Sequence, residues 1–221
     1  MPINPGILAA AKRQSRRWLA GGISPSVVVA AYEPKGAQSL AASYINLANP
    51  GTSNAAAGVA PVFATGTGWS FNGTAHYLTT GIIPAAAYSM IVHVSGVAAS
   101  GITRIAAGLS DSVGDVRFYL APTGVAGTVH MHGYGDIFTR LAPALISGTM
   151  AIAGPNRYIN GVADGSGGTW ASPSRGIMIG AGNERGTAHF FCECTIKALY
   201  LYSATLTAPQ VLAVHNALGT L

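Results

Sequence analysis

The sequence predicts an all-β fold, a jelly-roll sandwich of two antiparallel sheets. Short segments rich in β-branched and aromatic residues recur from residue 27 to residue 202, with turn residues between them, a rhythm typical of such sandwiches. The dipeptide Asn160-Gly161 is a strong signal for a two-residue hairpin. Of the 221 residues, 49% are hydrophobic and 9% are charged, which excludes the hydrophilic, highly charged composition of disordered chains.

A helix is predicted over residues 3–19, before the first strand. Asn4 can cap it, Pro5 suits its first position, and Gly21 with Gly22 ends it. Four of the 12 Lys and Arg residues lie in this segment, whereas the rest of the chain has eight against seven Asp and Glu. The body is therefore close to neutral, which argues against a nucleic-acid-binding face on it.

We interpret residues 1–22 as a docking segment that precedes a jelly-roll domain of residues 23–221. A helix this short is marginal in water unless it packs against something, and a partner with an acidic groove could take up both its charge and its apolar stripe. The alternative is a solvated tail. The residues expected to dock are Lys12, Arg13, Arg16, Arg17 and Trp18.

No membrane association is expected. A spanning helix needs about 20 mostly apolar residues, and the apolar stretch 18–32 is shorter and contains two glycines and Pro25. The same features make it a poor secretory signal.

The strands are predicted wherever β-forming residues cluster between turns. The Ala- and Gly-rich stretch 48–60 is predicted to be a long loop, and Asn72-Gly73 a turn. The predicted strands cover residues 27–32, 61–65, 76–80, 88–94, 102–109, 116–121, 128–134, 149–154, 157–161, 176–182 and 191–202.

The chain is predicted to close with a helix that begins at a capping box. Thr207 and Gln210 have the T-x-x-Q spacing in which each side chain bonds the other residue's backbone. Val211, Val214 and Leu218 would then face the sandwich, and Gly219 would end the helix.

The two cysteines are predicted to be reduced and buried. Cys192 and Cys194 are separated by one residue, and residues at that spacing in a strand lie near the upper limit for a disulfide. A metal site shared with His189 is the alternative, although a lone C-x-C is a weak signal.

Two strands carry polar and aromatic residues on one face. In a strand, His130, His132 and Tyr134 share a face, and so do Arg117 and Tyr119. If these strands are neighbours, they form a surface able to bind a sugar or another protein. The alternative is an ordinary solvent-facing side of a sheet. Trp170 follows "GSGG" and could be an exposed binding aromatic, whereas a zinc site on the two histidines would need further ligands.

Five segments, in order, resemble the concanavalin A-like, laminin-G-type jelly roll. They are "WSFNGTAHYLTTGI" (69–82), "YSMIVHV" (88–94), "RYINGVADG" (157–165), "GIMIGAGN" (176–183) and "CTIKALYLYSATLTAPQVLAVHNAL" (194–218). Many members of that family bind calcium through loop oxygens, so the resemblance implies a calcium site, for which Asp111, Asp115 and Asn183 are candidates. The alternative is that these are ordinary turn residues.

The resemblance does not fix a function, because this fold carries lectins, glycanases and structural modules. "AAYEPKGAQSLAASYINLANPG" (30–51) also resembles small bacteriophage structural proteins. The first hypothesis is therefore a non-enzymatic virion protein. It would be a homo-oligomer with phage head or tail proteins as partners, and host surface polysaccharide as a further one. The alternative is a stand-alone carbohydrate-binding module. Glycanase activity is not expected, because the E-x-D-x-x-E motif of glycanases with this fold is missing.

Overall fold

The computed structural model describes residues 16–99, 101–111, 116–124 and 129–221, with the backbone alone for residues 111 and 137–140. It confirms the predicted class, since two antiparallel sheets pack face to face. The strands are β1 (Val28–Tyr32), β2 (Ala56–Val59), β3 (Val62–Ala64), β4 (Gly68–Asn72), β5 (Tyr77–Thr79), β6 (Ser89–Ser95), β7 (Ala107–Asp111), β8 (Val116–Ala121), β9 (His130–Tyr134), β10 (Ile137–Leu141), β11 (Gly148–Ala153), β12 (Asn156–Ile159), β13 (Val162–Ser166), β14 (Met178–Ile179), β15 (Gly182–Glu184), β16 (Thr187–His189) and β17 (Glu193–Tyr202).

The strands divide into an eight-stranded and a nine-stranded sheet. The first has the order β13-β12-β11-β6-β17-β4-β3, with β1 also paired to β17. The second has the order β10-β9-β8-β7-β14-β5-β2, and β15 joins it beside β7 with β16 as its partner. The long strand β17 lies between β6 and β4, so the end of the chain forms the middle of the first sheet.

Buried side chains form three layers that follow the alternation of each strand. The middle layer lies between the sheets and includes Met90 and Val92 of β6 together with Phe118 and Leu120 of β8. The outer face of the eight-stranded sheet carries a second cluster. A small third cluster, Ile105, Tyr119, Ala121 and Met131, covers the outer face of the nine-stranded sheet.

A C-terminal helix, Ala208–Leu218, covers the second cluster. Its capping box is present as predicted, because the backbone N–H of Thr207 donates to Gln210 Oε1 at 3.0 Å, and its three predicted core residues are buried. The described part of the chain also contains a one-turn helix, Leu40–Ser43, and three short 3-10 segments, Arg17–Gly22, Pro25–Val27 and Pro34–Gly36. Among the described residues, none of the helices is long and apolar enough to span a membrane.

The structure confirms one predicted turn and differs from the prediction in two other segments. The Asn160-Gly161 hairpin is confirmed, with φ of +50° and +77° at its two central residues and Ile159 paired to Val162. The predicted loop 48–60 contains β2, an edge strand with exposed residues, and alternation gives little signal there. The predicted strand 176–182 divides at Gly180, where φ is +80°.

The expectation of reduced cysteines is wrong, because the structure joins Cys192 and Cys194 by a disulfide. Cys192 precedes β17, and the backbone there is less extended than a strand. Consequently the two Cα atoms are 5.5 Å apart, inside the usual disulfide range. The expected burial of both side chains is confirmed.

The structure also changes the interpretation of the last part of the predicted docking segment, residues 16–22. Lys12 and Arg13 lie outside the described residues, and Arg16 is exposed. Trp18 is 5% exposed, stacks edge-on against Tyr200 with ring centroids 6.1 Å apart, and accepts a hydrogen bond from Tyr202 through its carbonyl. Trp18 therefore belongs to the second cluster and is not available to a docking partner.

Arg17 is likewise part of the body. Its Nη1 lies 3.1 Å from Glu33 Oε2, and its Nε donates to Thr220 Oγ1 at 3.3 Å. Glu33 is 3% exposed and also accepts a hydrogen bond from Tyr200 at 2.5 Å. Burial raises the pKa of this carboxyl, although Tyr200 and Arg17 oppose the shift. The body thus includes Arg17 and Trp18, which the sequence interpretation placed before it.

We expect the protein to lose stability in acid partly through His93. Burial, with Lys197 and Lys35 nearby, lowers its pKa from 6.5 to about 4. The unfolded chain therefore binds this proton first, and the free energy of unfolding falls as the pH drops from about 6.5 to 4. The contribution is about 1–2 kcal/mol after a reduction for its partial exposure. Urea unfolding across this range should show a shallower decline for His93→Gln, and parallel curves would contradict the assignment.

Candidate functional site

A shallow groove crosses the outer face of the nine-stranded sheet. Its volume is about 140 Å³. Ile105, Tyr119 and Met131 form its buried floor. Its more exposed residues are Thr103, Ser110, Arg117 and Phe190.

Strand register explains the floor of the groove. The pairing of β8 with β9 sets Tyr119 opposite Gly133, and that of β7 with β8 sets Ser110 opposite Arg117. Residues opposite each other share a face. A Cβ at Gly133 would collide with the Tyr119 ring. The missing side chain at Gly133 therefore lets the ring lie across the sheet.

Arg117 is held at one end of the groove by the turn after β9. Its Nη1 donates to the carbonyl of Asp136 at 2.7 Å, and its own carbonyl accepts from Gly135 N at 2.8 Å. The carboxylate of Asp136 in turn accepts from the backbone N–H of Thr169 at 2.7 Å. The guanidinium thus has a fixed position beside a concave surface.

Phe190 is an exposed aromatic at the rim of the groove. It is 39% exposed, and its φ of +55° is unusual for a bulky residue. Its carbonyl accepts from Ile105 N at 2.8 Å, a bond that fixes the backbone in this conformation. Sequence reasoning missed this residue, which lies one position before the predicted strand 191–202.

The predicted binding residues divide between the two faces of the nine-stranded sheet. Arg117 and Tyr119 lie on the outer face, as the groove requires. His130, His132 and Tyr134 lie on the inner face, since β9 pairs His132 with the core residue Leu120. The expectation of one joint surface is therefore wrong.

Tyr134 and Trp170 have structural positions. The Tyr134 hydroxyl donates to the carbonyl of Ala86 at 2.7 Å. The half-buried Trp170 ring packs against Tyr134 and Phe118, with centroid distances of 5.2 and 6.0 Å. Trp170 covers the edge of the core and does not extend from the loop as an exposed binding aromatic.

His130 and His132 meet a carboxylate from the other sheet. His130 Nε2 lies 2.7 Å and His132 Nδ1 lies 3.9 Å from Asp164 Oδ2. His130 Nδ1 lies 2.6 Å from the carbonyl oxygen of Pro143. Both histidines are almost fully buried, and Asp164, on β13, is partly exposed.

Burial keeps His132 neutral. Desolvation, followed by the charges of His130 and Arg157, lowers its pKa to about 3. Backbone contacts with Tyr158 and Ala151 oppose this shift, although neither ring nitrogen makes a hydrogen bond of good geometry to a described residue. An imidazole with two unsatisfied nitrogens is costly in a core.

The calcium candidates are not brought together by described side chains. Asn183 donates to the carbonyl of Gly176 and accepts from Gly186 N, both at 2.8 Å, so its amide serves a local turn. The side chain of Asp111 and the whole of Asp115 lie outside the described residues. The calcium site stays a prediction.

A larger cavity of about 220 Å³ lies beside Glu33 and the helix Leu40–Ser43. Among the described residues that line it, the one charged residue is Glu33, which is already paired with Arg17 and Tyr200. None of these described lining residues is aromatic, and we therefore favour the smaller groove as the candidate site.

Comparison with protein-family models and with curated protein sequences found no match. Solved structures do match in fold. A mutant of the Trypanosoma rangeli sialidase that displays trans-sialidase activity is 15% identical with a TM-score of 0.64. The match covers 96% of this chain and 40% of the sialidase chain. This chain therefore spans less than half of that protein's length.

A second similar structure is a single domain. Domain 4 of AbnA, an extracellular GH43 arabinanase from Geobacillus stearothermophilus, solved in complex with arabinotriose, is 17% identical with a TM-score of 0.59. The match covers 86% of this chain and 98% of that domain. Neither structure is a virion protein, so the virion role and its phage partners stay predictions. At these identities the likeness concerns the fold alone, a β-sandwich of two packed sheets.

Proposed function

We propose that this domain binds carbohydrate without cleaving it, through the groove of the nine-stranded sheet. The observation that carries the proposal is the pairing of an exposed aromatic, Phe190, with a positioned cation, Arg117, above one concave surface. Sugar rings have an apolar C–H face and a rim of hydroxyls. An aromatic ring matches the first, and guanidinium and hydroxyl groups match the second.

The composition of the groove supports binding over catalysis. Among the described residues, none of the seven that line it is acidic, whereas glycoside hydrolysis normally needs two carboxylates flanking the bond. The glutamate nearest in sequence to the groove residue Phe190 is Glu193, and its carboxylate is ion-paired to Arg104 at 3.2 Å. The similar arabinanase domain was solved with a trisaccharide, which supports short glycan chains as the ligand class.

The test is calorimetric titration with arabino-oligosaccharides and sialylated oligosaccharides. We expect Phe190→Ala to weaken binding at least tenfold, or about 1.4 kcal/mol, because the stacking platform is lost. Arg117→Gln should weaken it similarly. The matched control is Val62→Ala, since Val62 is 63% exposed but lies on β3 of the other sheet.

Two results would contradict the proposal. One is glycan binding that Phe190→Ala leaves unchanged while the fold is intact by circular dichroism. The other is release of reducing ends from any of these oligosaccharides by the purified chain, since the proposed function includes no cleavage.

A further inference from the structure

His130 faces two groups that can only accept hydrogen bonds. The Pro143 carbonyl lies 2.6 Å from Nδ1, and the carboxylate of Asp164 lies 2.7 Å from Nε2. A neutral imidazole has one N–H. If it donates to Pro143, the lone pair of Nε2 points directly at a carboxylate oxygen, and the two electron pairs then meet unless a second proton or a metal ion lies between them.

His132 places a third candidate metal-ligand atom near Asp164 Oδ2. Its Nδ1 is 3.9 Å from the same oxygen, Asp164 Oδ2, and it makes no hydrogen bond to any described residue although His132 is 1% exposed. One candidate ligand atom from each of the three residues lies within 4.8 Å of the other two. Buried polar atoms of this kind are rare without a partner.

We propose that His130 Nε2, His132 Nδ1 and a carboxylate oxygen of Asp164 form a binding site for a divalent transition metal, with Zn²⁺ as the best match. Two imidazoles and one carboxylate are the ligand set of many zinc sites with an open fourth position. The bond from His130 Nδ1 to a backbone carbonyl is the outer contact that metal-ligating histidines usually make.

The geometry requires small adjustments. Zn–N and Zn–O bonds of about 2.0–2.2 Å place two donors on a tetrahedral zinc about 3.3 Å apart. The present spacings of 2.7 and 3.9 Å lie on either side of this value. The Asp164 side chain is 23% exposed, so rotation of the carboxylate is feasible and water can reach the fourth position.

Arg157 limits the affinity. Its Nη2 donates to the carbonyl of Ser166 at 2.8 Å, and its charge acts on both Asp164 and His132. The positive charge of Arg157 repels a divalent metal ion bound close to it. We therefore expect a dissociation constant in the micromolar range, weaker than in a zinc finger.

A metal here would join the two sheets at their edge. The histidines lie on β9 of the nine-stranded sheet, and Asp164 lies on β13 of the eight-stranded sheet. Since the ligands come together only in the folded chain, binding stabilises the fold. The groove lies on the opposite face of β9, so glycan binding and metal binding are separable.

The experiment titrates Zn²⁺ into chelator-treated full chain by calorimetry and thermal unfolding. We expect one equivalent to bind, and the melting temperature to rise by roughly 5–10 °C at a hundredfold excess over the dissociation constant. Asp164→Asn, a change on a partly exposed edge strand, should abolish both effects and still fold. His189→Gln is the control, because His189 lies near Glu184, with 3.9 Å between Nδ1 and Oε2, but is exposed.

Co²⁺ provides a second measurement, because its absorption in the natural chain reports the coordination geometry itself. The intense visible absorption of tetrahedral Co²⁺ should appear with the natural chain and with His189→Gln, and disappear with His130→Gln. Failure of the natural chain to bind either metal, or binding that is lost in His189→Gln and retained in Asp164→Asn, overturns the proposal. Glycan titrations of the same variants test the proposed function independently.

Discussion

Replacing Trp69 by alanine is expected to lower the free energy of unfolding by about 3–5 kcal/mol, the usual cost of truncating a fully buried tryptophan. Trp69 is 0% exposed and packs between Tyr32 and Tyr44, with ring centroids 6.2 and 6.1 Å away. Its Nε1 donates to Ser43 Oγ at 2.7 Å. The substitution leaves a cavity and deprives the one-turn helix Leu40–Ser43 of its contact with the core.

Urea unfolding followed by far-ultraviolet circular dichroism measures this loss independently of tryptophan fluorescence. Trp170→Ala is the control, because Trp170 is half-buried at the edge of the same layer and should cost about 1–2 kcal/mol. Equal losses from the two variants would show that Trp69 does not have the central position assigned to it.

The second large effect is expected for Arg17→Met, with a loss of about 3 kcal/mol. Removing one partner of a buried ion pair leaves the other charge uncompensated, and the Glu33 side chain is 1% exposed. The loss should be greatest near neutral pH. Without Arg17 the pKa of Glu33 rises further above 4.5, so the deficit shrinks as the pH falls toward 4.5, where the unfolded chain also takes up this proton.

Arg16→Met is the matched control, since Arg16 is exposed and the same substitution there should change stability by less than about 0.5 kcal/mol. The double variant Arg17→Met with Glu33→Gln should recover part of the loss, because the buried carboxylate is then absent. A chain destabilised equally by both single arginine variants would place Arg17 in a solvated tail, which is the alternative given in the sequence analysis.

Local signals in the sequence were sufficient for the elements that depend on local chemistry. The Asn160-Gly161 turn, the capping box at Thr207 and the buried face of the last helix are properties of a few neighbouring residues. The strand β2 was missed because exposed Ala and Gly at a sheet edge show no alternation. The disulfide was missed because its geometry depends on the backbone just before β17.

The candidate site could be predicted only in part. Alternation correctly placed His130 and His132 on one face and Arg117 and Tyr119 on one face. It could not say which face is inside, since that depends on how β8 and β9 pair within a sheet and against the other sheet. Asp164 and Phe190 join their clusters through contacts distant in sequence, for which a single sequence carries no signal.

The contact between Arg17 and Thr220 has a practical consequence for immobilising the protein on a surface, because it decides which face of the sandwich is turned toward that surface. Arg17 and Thr220 lie on the side of the eight-stranded sheet. Lys35, which donates a hydrogen bond to the Leu221 carbonyl, lies on the same side. The groove opens on the opposite side of the sandwich. A biotin tag or a bead linked at residue 16 or at Leu221 is therefore attached on the side of the sandwich opposite the groove. Either linkage presents the groove outward to soluble ligand, and surface plasmon resonance with the two tags should give the same response.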